Sequence, residues 1–263
     1  MQHLISINQP AVVVVGIGEL GTVFSRGFLR LGRAVVPVTR DVKMTDIAIG
    51  VEDPELVLVA VGEATLPDVL SGLPEVWRDR IALIQNELLP TSWAPFGLDE
   101  PTIASVWFEK KAGQDSRVII PSPVAGPHAD VVIAALESIS IPARRVDSTA
   151  ILHELVVKNM YILTSNIGGL DLPRGTTVGE LYDTYREYAE LVFDDVLAVQ
   201  EALVGHEMDR TNLMTSVETA LAGDPNHKAM GRSAPARLGR ILAQAHDLNV
   251  AVPTLDQIAA RTG

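Results

Sequence analysis

The stretch from Ala11 to Leu31 constrains the fold of this chain more than any other. Ala11 to Val15 is an unbroken apolar run dominated by valine, the pattern of a strand covered on both faces in a parallel sheet. Glu19 to Leu31 follows, with Leu20, Val23, Phe24, Gly27, Phe28 and Leu31 at the spacings of one helix face. Between them stands Gly16-Ile17-Gly18-Glu19-Leu20-Gly21, a match to G-x-G-x-x-G with a strand before it and a helix after it. In such a turn Gly16 permits the tight bend, Gly18 lets a pyrophosphate approach bare backbone, and Gly21 lets the helix pack on the strand. The unpaired N–H groups of the helix start then face the anion. The expectation is a dinucleotide site formed by Gly16, Ile17, Gly18, Glu19, Leu20 and Gly21, an ordinary glycine turn being the alternative.

Gly32 suits a helix stop, and Ala34 to Thr39 reads as a second strand containing Pro37. Strand, helix and strand within about thirty residues make a βαβ unit. The second strand runs out into Val38-Thr39-Arg40-Asp41. Arg40 is suited to a 2′-phosphate, which makes NADP (NADPH) the expected cofactor. Asp41 keeps NAD open, as an acceptor for the ribose diol with Arg40 stacked on adenine or solvated.

The alternation continues with strands at Leu56 to Val61 and Ile81 to Ile84, a short helix at Leu66 to Leu73, and strands near Thr102 to Phe108 and Arg117 to Ile120. A helix at Val131 to Ile139 and a last strand at Ala143 to Val146 complete this half. After about Asp147 helical spacing takes over, at Ile151 to Asn166, Val178 to Val204, Asp209 to Leu221, Ala236 to His246 and a short terminal piece. The reading is α/β, with an N-terminal Rossmann domain (1–146, a doubly wound, mostly parallel sheet) and an all-α C-terminal domain (147–263).

Several classes of function are excluded. The chain has no cysteine, so disulfides, thiolate metal sites and cysteine nucleophiles are absent. A net charge of −12, with acids in excess in both halves, argues against nucleic acid as a partner. The first ten residues carry no Lys or Arg, and glycines interrupt the apolar run that follows, so neither a signal peptide nor a membrane span is expected and the location is read as cytoplasmic. His3, His128, His153, His206, His227 and His246 show no metal-ligand spacing, so no metal is expected. Ser122 and Ser165 lack a nucleophile-elbow context. His153 and Glu154 read as an exposed helix pair. Tyr182, Tyr185, Tyr188 and Phe193 read as core packing or a subunit contact, which leaves a homodimer open.

These residues resemble the ketopantoate reductase (2-dehydropantoate 2-reductase) family, loosely over nearly the whole chain. Gly16, Gly18, Gly21 and Arg40 fall at the family's spacing, with the arginine where the family contacts the NADP phosphate. Ala82-Leu83-Ile84-Gln85-Asn86 is similar to the strand and asparagine of the family's nicotinamide-side loop, usually Asn-Gly, where this chain has Asn86-Glu87. Glu154-Leu155-Val156-Val157-Lys158 followed by Asn166 resembles the helix that carries the family's catalytic lysine and, eight residues on, a substrate-binding asparagine. Val250-Ala251-Val252-Pro253 matches a further landmark. The resemblance implies a helical domain of the 6-phosphogluconate dehydrogenase C-terminal type.

The sequence also departs from the family. Ile162 stands where a second substrate-contacting asparagine is usual, and Gly231-Arg232-Ser233-Ala234-Pro235-Ala236-Arg237 carries no acid in the region where the family has one. Pro121 to Pro127 replaces a glycine-rich segment. Fold and cofactor are therefore expected to carry over, and pantoate as substrate is not.

The implied activity is hydride transfer between NADPH and a small carbonyl or hydroxy compound, bound in the interdomain cleft. Lys158 is the catalytic candidate, able to polarise the carbonyl or donate the proton, with Leu155 and Ile162 on the same side of its helix. Asn86 and Asn166 are the candidate substrate-binding residues. Other readings stay open: Lys158 as a surface lysine, Asn166 as a helix cap before Gly168-Gly169, Asn86 as a turn residue. A non-catalytic, dinucleotide-responsive regulatory protein is the rival from another class.

Overall fold

The valine run forms strand β1 (Ala11–Val15), and Val12, Val13 and Val14 are fully buried in the computed structural model, which describes residues 10–110 and 113–262. Parallel partners flank β1 on both sides, β2 (Ala34–Val38) and β3 (Leu56–Val59). Beyond β3 the sheet continues through β4 (Ile81–Leu83) and β5 (Thr102–Ala104), both parallel. The chain then makes a small antiparallel pair, β6 (Phe108–Glu109) with β7 (Arg117–Val118). It returns to the main sheet as β8 (Ser122–Ala125), antiparallel to β5, and ends it with β9 (Ala143–Arg145), parallel to β8. The order β2-β1-β3-β4-β5-β8-β9 is a doubly wound, mostly parallel sheet. Pro37 is tolerated because β2 is an edge strand.

Helix α1 (Glu19–Arg30) buries Val23, Phe24 and Phe28 on the face that the spacing predicts. A second helix, α2 (Met44–Gly50), was not legible in the sequence, being short and burying only Ala48. Helix α3 (Leu66–Ser71) follows β3, and α4 (Ala129–Ser138) packs on α1 with backbones in contact. A Cβ added at Gly27 would lie 2.3 Å from the carbonyl oxygen of Ala135. Ser138 Oγ donates to the carbonyls of both Gly27 and Ala135, locking the two helices.

Three expected strands differ in outline. Thr102 to Phe108 is divided between β5 and β6, β3 stops at Val59, short of Val61, and β7 stops at Val118, short of Ile120. Strand β8 was missed because Pro121 and Pro123 disguise it; Pro123 still offers its carbonyl, which accepts from the N–H of Ser105 at 2.9 Å.

The described residues up to Leu88, with Ser92–Leu152, form one compact unit, and Leu89–Thr91 with the described residues from His153 onward form a second. Helix α5 (Ser148–Gly168) opens on Asp147, whose side chain accepts from the N–H groups of Thr149 and Ala150. From Leu155 to Ile167 every residue of α5 is buried, so this helix is enclosed on all sides.

The run expected as one helix from Val178 to Val204 is two, α6 (Val178–Asp183) and α7 (Arg186–Val204), with a break at Thr184 and Tyr185. Thr177 and Glu180 form a capping box at the start of α6. Tyr182 and Phe193 are core residues, and the hydroxyl of the half-buried Tyr188 donates to the carbonyl of Gly168. Helices α8 (Arg210–Gly223), α9 (Ala234–Asp247) and α10 (Pro253–Thr262) complete the unit. The Val250–Pro253 landmark leads into α10, and Asp195 of α7 caps that helix by accepting from Thr254 and Leu255 at 2.7 and 3.0 Å. Buried Asn159 donates to buried Gln200 at 2.9 Å, tying α5 to α7.

Candidate active site

Because β1, β3 and β4 are parallel neighbours, the turns leaving them gather on the carboxyl edge of the sheet, where folds of this kind bind ligands. The β1–α1 turn is fixed at Gly16, whose N–H donates to the carbonyl of Val38 at 2.9 Å and whose φ of +94° lies in the left-handed region. The three glycines have separate duties. A Cβ on Gly21 would lie 2.0 Å from the Gly16 carbonyl oxygen, so this glycine sets the closeness of turn and helix. A Cβ on Gly18 would meet no atom within 4 Å; this glycine keeps space open rather than relieving a contact. Gly18 is also the N-cap of α1 and makes no side-chain cap, leaving the first N–H groups to a ligand.

That space is part of a cleft of about 1050 Å³ bounded by Gly16, Ile17 and Gly18 on one side and by Ala60, Val61 and Gly62 on another. Its far wall is the loop after β2, with Arg40, Asp41 and Lys43. Among the described residues neither the Arg40 guanidinium nor the Lys43 ammonium has a hydrogen-bond or ion-pair partner. Bare backbone at one end and two unengaged cations at the other, with Asp41 beside them, offer places for anionic groups. Gly16, Ile17, Gly18 and Arg40 are therefore brought to one cleft. Glu19 is exposed in the first turn of α1, and Leu20 packs against the core, so at these two positions a ligand would meet backbone.

Asn86 lies in the turn after β4, and its Nδ2 donates to Oε1 of Glu63, in the turn after β3, at 3.0 Å. The preceding residue, Gln85, is buried and closes the same edge: its Nε2 donates to the carbonyls of Val59 (2.7 Å) and Val61 (3.2 Å), and its Oε1 accepts from the N–H of Ile84. Glu87 takes φ +60°, the left-handed conformation that a glycine adopts without strain.

In the helical unit Lys158 is 9% exposed, which removes the reading of it as a surface lysine. Asn166 is not a helix cap, because α5 runs on through Gly168. It is buried, with Nδ2 donating to the carbonyl of Ala229 at 3.1 Å and Oδ1 accepting from Nη1 of Arg237. A Cβ on Gly231 would come within 2.7 Å of that Oδ1. Asn166 thus stitches α5 to the segment before α9 and to α9 itself.

Sequence reasoning passed over Lys43, Glu63, Gln85 and Arg237. Lys43 follows Arg40 by one short loop, and a second cation so close to the expected phosphate contact was a usable signal. Glu63, Gln85 and Arg237 carried none, since their partners come from other elements. Among the described residues no group of three His, Asp or Glu side chains could hold a metal ion, and no helix is long and apolar enough to cross a membrane.

No protein-family model matches the sequence, and no curated protein matches it. Solved structures do. A PanE/ApbA family ketopantoate reductase from Ralstonia eutropha JMP134 superposes with a TM-score of 0.69 at 16% identity, over 96% of this chain and 97% of that one. A dimeric ketopantoate reductase from Staphylococcus aureus gives 0.64 at 17% identity, over 96% and 97%. A D-mandelate dehydrogenase in complex with NADH gives 0.62 at 12% identity, over 96% and 97%. The chain has the fold of the ketopantoate reductases, the fold that its sequence resemblance implied.

Proposed function

We propose that the protein is an NADP-dependent oxidoreductase that interconverts a small carbonyl compound and the corresponding alcohol. The observation that carries this reading is the cleft in which the open space above Gly18 and the unengaged cations Arg40 and Lys43 occur together. Gly16, Gly18 and the first N–H groups of α1 hold the diphosphate, and Arg40 and Lys43 hold the 2′-phosphate. The fold shared with ketopantoate reductases and with a dehydrogenase solved with NADH supports a nicotinamide coenzyme.

When bound, the reduced nicotinamide supplies a hydride. In the reducing direction Nζ of Lys158 would deliver to the substrate oxygen the proton that completes the alcohol. Burial of Lys158 keeps water from competing for that proton. Asn86, aimed by Glu63, and Asn166, aimed by Arg237, orient the substrate. The dimer described for the Staphylococcus aureus reductase supports a homodimer, to be read from light scattering.

The test is oxidation of NADPH, followed at the nicotinamide absorbance, over a panel of 2-oxo acids and small aldehydes. Turnover with at least one member, lost in Lys158→Ala, is expected; tight NADPH binding with inertness throughout would contradict it. One observation favours the rival, a dinucleotide-responsive regulatory protein: the Asn166 amide is already engaged at both ends by Ala229 and Arg237.

A further inference from the structure

The helical unit contains a second concavity, of about 380 Å³, which shares no residue with the dinucleotide cleft. One wall is the turn 173–176, closed by the Thr176 N–H and hydroxyl, both donating to the carbonyl of Pro173. The other is the segment 228–230. The walls are fastened by an antiparallel bridge between Thr177 and Lys228 and by the Ala229 N–H, which donates to the carbonyl of Thr176 at 2.9 Å. This framework sets Arg174 and Lys228 on opposite walls of one small space.

The charge there is unusual for this chain. Acids outnumber bases 33 to 21, and Arg33, Arg80, Arg145, Arg186, Arg210 and Arg261 each meet a carboxylate. The concavity is lined by no acid, and among the described residues neither Arg174 nor Lys228 has a hydrogen-bond or ion-pair partner. At Gly175 a Cβ would find no atom within 4 Å, so the turn leaves room for a ligand to approach its backbone. Two unengaged cations facing one space raise its potential, and an anion relieves it. The volume falls at the lower end of the range of about 300–1,000 Å³ seen for small-molecule sites, which suits a compact ligand.

We propose that this concavity binds a small polyanion through Arg174 and Lys228, by a phosphoryl or a carboxylate group. It stands independently of the oxidoreductase reading.

The test is calorimetric titration of the full chain with pyrophosphate and with citrate at fixed ionic strength, on wild type, Arg174→Ala/Lys228→Ala and Arg174→Lys. Wild type is expected to show a binding event, separate from any at the dinucleotide cleft, that weakens about tenfold per cation removed in the double variant, and Arg174→Lys is expected to retain most of it. Both side chains are exposed, so the double variant should melt with wild type and keep its NADPH affinity. Hydrogen exchange is expected to slow at 173–177 and 228–230 on binding. Tighter pyrophosphate assigns a phosphoryl group and tighter citrate a carboxylate. No heat with either anion, or heat that survives undiminished in the double variant, overturns the proposal.

Discussion

Asn86 and Glu63 are joined across the carboxyl edge of the sheet, Nδ2 to Oε1 at 3.0 Å, so one charge-assisted contact ties the turns that leave neighbouring strands. The contact fixes which way the amide faces and leaves its oxygen to a ligand. Asn86→Ala is expected to lower kcat/KM by about tenfold or more, as for loss of a hydrogen bond to a polarised group, and Glu63→Ala by less. NADPH affinity should move little in either. Steady-state kinetics with direct cofactor titration checks this, and equal losses in cofactor binding and turnover would make Asn86 a scaffold residue.

Gly18 and Gly21 should separate binding from folding. At Gly18 a methyl group meets nothing in the protein, so Gly18→Ala is expected to lose only the modest cost of an alanine N-cap, about 1 kcal/mol or less, while losing most of its dinucleotide affinity. At Gly21 it would stand 2.0 Å from the Gly16 carbonyl oxygen, so Gly21→Ala is expected to cost about 1–3 kcal/mol of stability as well. Thermal melts paired with NADPH titrations read the two effects apart.

Lys158→Ala is expected to abolish turnover and leave NADPH affinity nearly intact, since the proposed role of the lysine is at the substrate oxygen. Its helix is buried on all sides, so a melt must accompany the assay and Lys158→Met serves as the volume-conserving control. Unchanged turnover in Lys158→Met would remove the lysine from the mechanism.

Much of the fold is legible in the sequence. The valine run, the glycine turn and the face of α1 are local patterns, set by periodicity and by backbone freedom at three glycines. Short elements were harder: α2 buries one residue and β8 is framed by prolines, so neither leaves a periodic trace. Partners distant in sequence were not legible at all. Arg237 lies 71 residues from Asn166, and only folding shows that it holds that amide. Glu87 gives the converse lesson, because nothing in a glutamate signals the left-handed region and the backbone takes φ +60° all the same. That conformation costs a non-glycine residue about 1–2 kcal/mol.

Asp195 should leave a signature in pH. Its burial raises the carboxyl pKa above the usual carboxylate value, against the opposing pull of the Leu255 and Thr254 N–H groups. A raised folded value means that its contribution to stability is full below the unfolded value of about 3.9 and is lost as pH rises through the folded one. Asp195→Asn keeps an acceptor for the two N–H groups and does not titrate. Wild-type stability relative to Asp195→Asn is therefore expected to fall as pH rises from about 4 and then level off, as denaturant titrations across that range will show. A difference that moves the other way would contradict the assignment.

Calorimetric titration of NADPH and NADH into the purified chain and into Arg40→Glu tests the cleft at the glycine turn most directly. NADPH is expected to bind about tenfold or more tightly than NADH in wild type, with the preference abolished or reversed in Arg40→Glu. Absence of heat with both nucleotides, or equal losses for both in Arg40→Glu, would contradict it.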